Sequence, residues 1–125
     1  MNKEFVPYEE ALALKELGFD GECFSHYYRD GDISRTFHLA PITNDCIIVE
    51  CTAPLYQQAF RWFRKNHGIW YQPHTTKDSN GDWYYFSIEG GPKRTDITSG
   101  SDEYKIEELK CLRKLIEIVN QNKDE

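Results

Sequence analysis

The sequence predicts an α+β fold, an antiparallel sheet of about five short strands packed by three helices on one face. Three observations carry that expectation. Three segments repeat apolar residues at helical spacing. Two pairs of β-rich runs are each joined by a short turn containing Asp-Gly or Asn-Gly. The order along the chain is α-β-β-β-α-β-β-α. At 125 residues the chain fits one domain, 1–125, with 121–125 as a frayed tail.

The first helix is expected over Pro7 to Leu17. Pro7 suits the first helical position, and Glu9 and Glu10 favour the helix dipole. Gly18 provides a left-handed cap, after which Phe19 folds back onto Leu14. Cys23–Tyr28 and Ile33–Leu39 form a hairpin around Arg29-Asp30-Gly31-Asp32. The run Cys46–Cys51 is the third strand. Thr52 is expected to cap the second helix, TAPLYQQAFRWFRKNHG. Its apolar arc holds Leu55, Tyr56, Ala59, Phe60, Trp62 and Phe63; the opposite arc holds Gln57, Gln58, Arg61, Arg64 and Lys65. Ile69–Thr75 and Trp83–Glu89 form a second hairpin around Ser79-Asn80-Gly81-Asp82. In its second strand Tyr84, Phe86 and Ile88 form the core set, which leaves Trp83 and Tyr85 facing outward. A loop, GGPKRTDITSG, leads to a last helix capped by Ser101, with Leu109, Leu112, Ile116 and Val119 on its apolar stripe.

The net charge of −6 argues against general nucleic-acid or anionic-membrane binding. No apolar run approaches the roughly 18 residues of a membrane helix. The opening MNKEFVPYEE has no signal-peptide core, so a cytoplasmic location is expected. Cys23, Cys46, Cys51 and Cys111 fit neither a zinc framework nor a bridge, so reduced thiols and no metal are expected.

The stretches VPYEEALALKELGFDGECF, APLYQQAFRWFRKNHG and YKIEELKCLRKLIEIVN, taken together, resemble a group of small uncharacterised proteins of bacteriophages and mobile elements of gut Bacteroidetes. The resemblance implies an accessory protein acting in a host bacterial cytosol, with counter-defence as an associated role. It transfers no functional residues.

Enzyme signatures are absent: there is no nucleophile elbow, Walker loop, paired-histidine zinc motif or dinucleotide fingerprint. No catalytic residue and no cofactor is assigned. His67 falls at a helix C-terminus, where positive charge is favoured. His74, beside Tyr71 and Tyr85, is more ambiguous. The second helix alone opens without an acid, so its start, with Arg61, Arg64 and Lys65, is the first place to seek an anion. The expected ligand-binding set is Thr52, Arg61, Trp62, Arg64, Lys65, Trp83 and Tyr85, where that helix meets the second hairpin. The leading expectation is a non-enzymatic phage-type protein sequestering an anionic, nucleotide-like ligand by ring stacking and cations. The alternative is a protein–protein inhibitor or adaptor that docks a host protein through outward aromatics. An enzyme of unrecognised class is the third. The oligomeric state is left open.

Overall fold

The computed structural model describes residues 4–34, 40–46, 50–78, 81–90, 96–98 and 100–123. The elements are α1 (Tyr8–Glu16), β1 (His26–Tyr27), β2 (Cys51–Thr52), α2 (Tyr56–His67), β3 (Ile69–Asp78), β4 (Gly81–Gly90), β5 (Asp96–Ile97) and α3 (Tyr104–Lys123). The α+β class holds; a single sheet of about five strands is not found among the described residues. Among the described residues β1 and β2 pair as one antiparallel sheet, and β3-β4-β5 form a second. The chain divides into two compact units, Met1–Trp62 and Phe63–Glu125.

In the first unit α1 ends as its sequence requires. Gly18 takes φ +95° and donates to the Lys15 carbonyl at 3.0 Å, while Phe19 N–H reaches back to Leu14 at 2.9 Å. This is the Schellman ending, and both Phe19 and Leu14 are buried. Only part of the expected first hairpin falls among the described residues. Its turn is present, with Tyr28 N–H on the Asp32 carbonyl and Gly31 N–H on Tyr28. Its first strand shortens to β1, which pairs with β2. Residues 35–39 of its second strand, and 47–49 of the expected third, lie outside the described residues. Asn44 ties this unit together. Its amide donates to the Phe19 carbonyl at 3.0 Å, and its Oδ1 accepts from both the backbone N–H and the hydroxyl of Thr52.

The second helix begins three residues later than the position directly after its expected cap. Thr52 is committed to β2, and Leu55 precedes the first helical turn instead. Leu55 N–H donates to Gln58 Oε1 at 2.9 Å, which is half of a capping box. Tyr56, Ala59, Phe60, Trp62 and Phe63 are buried as their spacing requires, whereas Leu55 is 40% exposed. A helix starting at Tyr56 leaves Leu55 outside the apolar stripe.

In the second unit β3 and β4 form a long hairpin whose ladder closes at Asp78 and Gly81. Gly81 has φ +120°, which suits a residue without a side chain. The loop after β4 contributes a strand the sequence did not announce: Asp96 and Ile97 pair with Ile88 and Ser87. The pairing continues through Thr98 N–H on the Phe86 carbonyl (2.9 Å) and a two-way bond between Tyr84 and Ser101. Between those points the chain advances three residues against two on β4, and Gly100, in that stretch, has φ +90°. Ser101 accepts from Glu103 N–H at 3.3 Å just before α3. That helix runs to Lys123, so the expected fray at 121–123 is helical; 124–125 lie outside the described residues. Leu112, Ile116 and Val119 are buried, and Cys111, Leu115 and Ile118 join them to form a broad apolar face.

Candidate functional site

The register of β3 with β4 decides which side chains share a face. One face takes Tyr71 with Ile88, Pro73 with Phe86 and Thr75 with Tyr84. This is the core side. Tyr71 stacks on Phe86 at 5.6 Å, and Tyr104 of α3 meets both Phe86 (5.2 Å) and Tyr84 (5.8 Å). The other face carries Trp70, Gln72, His74 and Thr76 on β3, opposite Glu89, Ser87, Tyr85 and Trp83 on β4. Trp83 and Tyr85 therefore face outward, as the alternation required. Trp70 and Trp83 are 43% and 41% exposed.

Each of these tryptophans is seated on a glycine. A Cβ built on Gly90 would lie 2.7 Å from Trp70 Cζ3 and would also collide with the Gly68 carbonyl. One built on Gly100 would lie 3.1 Å from Trp83 Cδ1 and closer still to its Nε1. Both glycines have positive φ, +92° and +90°. The indoles are thus positioned from beneath while much of their surface stays open. Between them His74 stacks flat on Tyr85, with centroids 4.7 Å apart and planes at 8°. His74 Nε2 lies 2.9 Å from Ser87 Oγ, and Ser87 is buried. None of the eight residues on this face is Lys or Arg, and Glu89 makes it slightly acidic.

The remaining expected site residues are placed differently. Thr52 is 1% exposed, and both its N–H and its hydroxyl are given to Asn44, so it offers nothing to a ligand. Trp62 is buried and meets Phe19 edge-on at 5.8 Å; it is a core residue of the first unit. Arg61, Arg64 and Lys65 share the exposed face of α2. A helix rises about 1.5 Å per residue, so Arg64 and Lys65 lie roughly 12–14 Å along the axis from the first residue, Tyr56. They sit in the last turn, where their charge complements the carbonyl end of the dipole. The helix start and most of its basic face therefore do not make one anion site. His67 closes the helix 6.1 Å from Phe63, and desolvation lowers its pKa, the opposite of the dipole effect expected from its position.

Sequence reasoning missed the two glycines, Trp70 as a full member of the outer face, and Glu89. The outer-face membership follows once the pairing is known to close at Asp78 and Gly81, because that fixes the parity of every residue on both strands. The seats under the indoles left no local signal. Among the described residues no cluster of three or more His, Cys, Asp or Glu could hold a metal, and no helix is long and apolar enough to cross a membrane. No family model, curated protein or solved structure matches the chain.

Proposed function

We propose that this chain is a non-enzymatic binding protein that docks a partner protein through the outer face of the β3–β4 hairpin. The observation that carries the reading is the pair of tryptophans, each more than two-fifths exposed and each seated on a glycine. A fixed aromatic ring loses little conformational entropy on binding and brings large apolar area, which is why such rings anchor interfaces. The partner is one with a basic contact surface. The chain carries −6, the outer face has no cation, and exposed indoles attract Lys and Arg through their ring faces. The resemblance to phage-encoded proteins suggests the setting, an accessory protein acting on a bacterial host component.

The geometry favours docking over capture of a nucleotide-like anion. Stacking rings and cations would have to converge on one ligand, yet the outer face has rings without cations. The test is comparative. Trp70→Ala with Trp83→Ala should abolish capture of a bacterial protein, while Arg61→Ala with Arg64→Ala should preserve it. Titration with mononucleotides, dinucleotides and cyclic nucleotides should leave tryptophan fluorescence unchanged. Nucleotide binding that depends on Arg61 and Arg64 would refute the docking reading and restore the anion site.

A further inference from the structure

We infer that the open edge of β3 receives an extended, basic segment of the partner as a fourth strand, alongside Pro73, Thr75 and Lys77. The inference rests on the docking reading above and specifies how the partner is held.

The direction of each backbone group follows from bonds on the far side of β4. Tyr84 exchanges both of its backbone bonds with Ser101, at 2.8 and 3.0 Å. Phe86 accepts from Thr98 N–H and donates to the Thr98 hydroxyl, both at 2.9 Å. The backbones of Tyr84 and Phe86 therefore turn away from β3. Alternation along an antiparallel strand turns those of Trp83, Tyr85 and Ser87 towards it. The register makes Thr76, His74 and Gln72 their bonding partners. It follows that the N–H and carbonyl groups of Thr75 and Lys77, and the carbonyl of Pro73, point outward from the sheet. Among the described residues no strand pairs with that edge.

This edge is a row of main-chain donors and acceptors repeating about every 6.8 Å, twice the rise of a strand residue. An extended polypeptide matches it, because its own backbone has the same repeat. Pro73 lies on the outward phase, so its missing N–H removes no bond to β4. The same proline disfavours a second copy of this chain. A two-fold pairing of β3 with itself would bring two such gaps into one short ladder and would join two chains of net charge −6. A segment from another protein meets only one gap. Its side chains on the outer face fall beside His74 and Thr76. Thr76 is small and stands opposite Trp83, so a Lys or Arg at that point can cross to the indole.

The test uses the intact protein and linear random peptides selected against it by surface display. In the free protein the Thr75 and Lys77 amides should exchange with solvent about tenfold or more faster than those of His74 and Thr76. Selected peptides should carry Lys or Arg at alternate positions and should slow exchange at Thr75 and Lys77 by about tenfold or more. Methylating alternate peptide nitrogens should abolish binding, and Thr75→Pro should weaken it by about tenfold or more. The exchange readout does not depend on that variant folding.

Four results would overturn the inference. The first is protection of Thr75 and Lys77 in the free monomer. The second is concentration-dependent dimerisation that protects them. The third is a selection that yields no linear peptide. The fourth is peptides whose binding is lost in Trp83→Ala but indifferent to Thr75→Pro and backbone methylation; that outcome leaves the docking face standing and removes only the strand. Conversely, edge protection with no effect of Trp83→Ala would keep the added strand and refute the aromatic face.

Discussion

Glu107 gives the sharpest test of how the second unit holds its third strand. Its side chain is fully buried in the first turns of α3. Oε1 accepts the Gly100 N–H at 2.8 Å, and Oε2 forms an ion pair with Lys110 Nζ at 2.8 Å without the alignment of a hydrogen bond. Burial alone would raise its pKa. The Lys110 ammonium, the Thr98 hydroxyl, the Gly100 amide and the Ser101 hydroxyl outweigh that and hold the carboxyl below its ordinary range. Glu107→Ala removes the acceptor, strands a backbone N–H and leaves a gap, so a loss of about 3–5 kcal/mol is expected in urea unfolding at neutral pH. For a chain of this length that is a fall in Tm of roughly 3–5 °C per kcal/mol. Glu107→Gln keeps an acceptor and the shape, and should lose only about 1 kcal/mol. The pH dependence has a definite sign. A carboxyl with a lowered folded pKa stabilises the fold above its unfolded value, near 4.3, and loses that contribution as pH falls through the folded value. The gap between the natural protein and the Gln variant should therefore close in acid. An Ala variant losing less than about 1 kcal/mol, or a Gln gap unchanged from neutral pH into acid, would refute the reasoning.

Phe60→Ala, at a position only 4% exposed, should cost about 3–5 kcal/mol by chemical denaturation; a loss under about 1 kcal/mol would sink the packing of α2. Native thiol labelling at mildly alkaline pH should modify Cys46 alone. Desolvation pushes Cys23 and Cys51 up to about 11 and Cys111 to about 12, and all three are buried. Mass spectrometry after brief alkylation checks this. Gly100→Ala should cost about 1–2 kcal/mol for the positive φ alone, and should also lift the Trp83 ring, read as a red shift in tryptophan emission.

Much of the fold was legible because it rests on short-range rules. Gly18 and Phe19 announced the end of α1, the 3.6-residue spacing announced the buried face of α2, and strand alternation placed Trp83 and Tyr85 outward. The failures are all long-range. Thr52 reads as a helix cap in its own neighbourhood, but β1 and the side chain of Asn44 claim it first. β5 forms from a loop rich in glycine and charge because Ser87 and Ile88 of β4 offer it a pairing edge that no local window contains. Trp62 reads as a ligand-site residue until Phe19, far away in sequence, packs on it. The candidate site was half legible for the same reason. Outward rings follow from parity, but the seats beneath them depend on the assembled fold.

The two tryptophan seats also set different rules for how the chain can change over generations. At Gly90 a side chain collides with the Gly68 backbone as well as with Trp70, so losing the indole does not free the position. At Gly100 the close contacts are all with Trp83, and only the positive φ remains once that ring is gone. Substitution there is ordered in time: the tryptophan goes first, and a residue tolerant of left-handed backbone, such as Asn, can follow. Related sequences should then show positions 83 and 100 varying together, while 90 stays glycine whatever stands at 70.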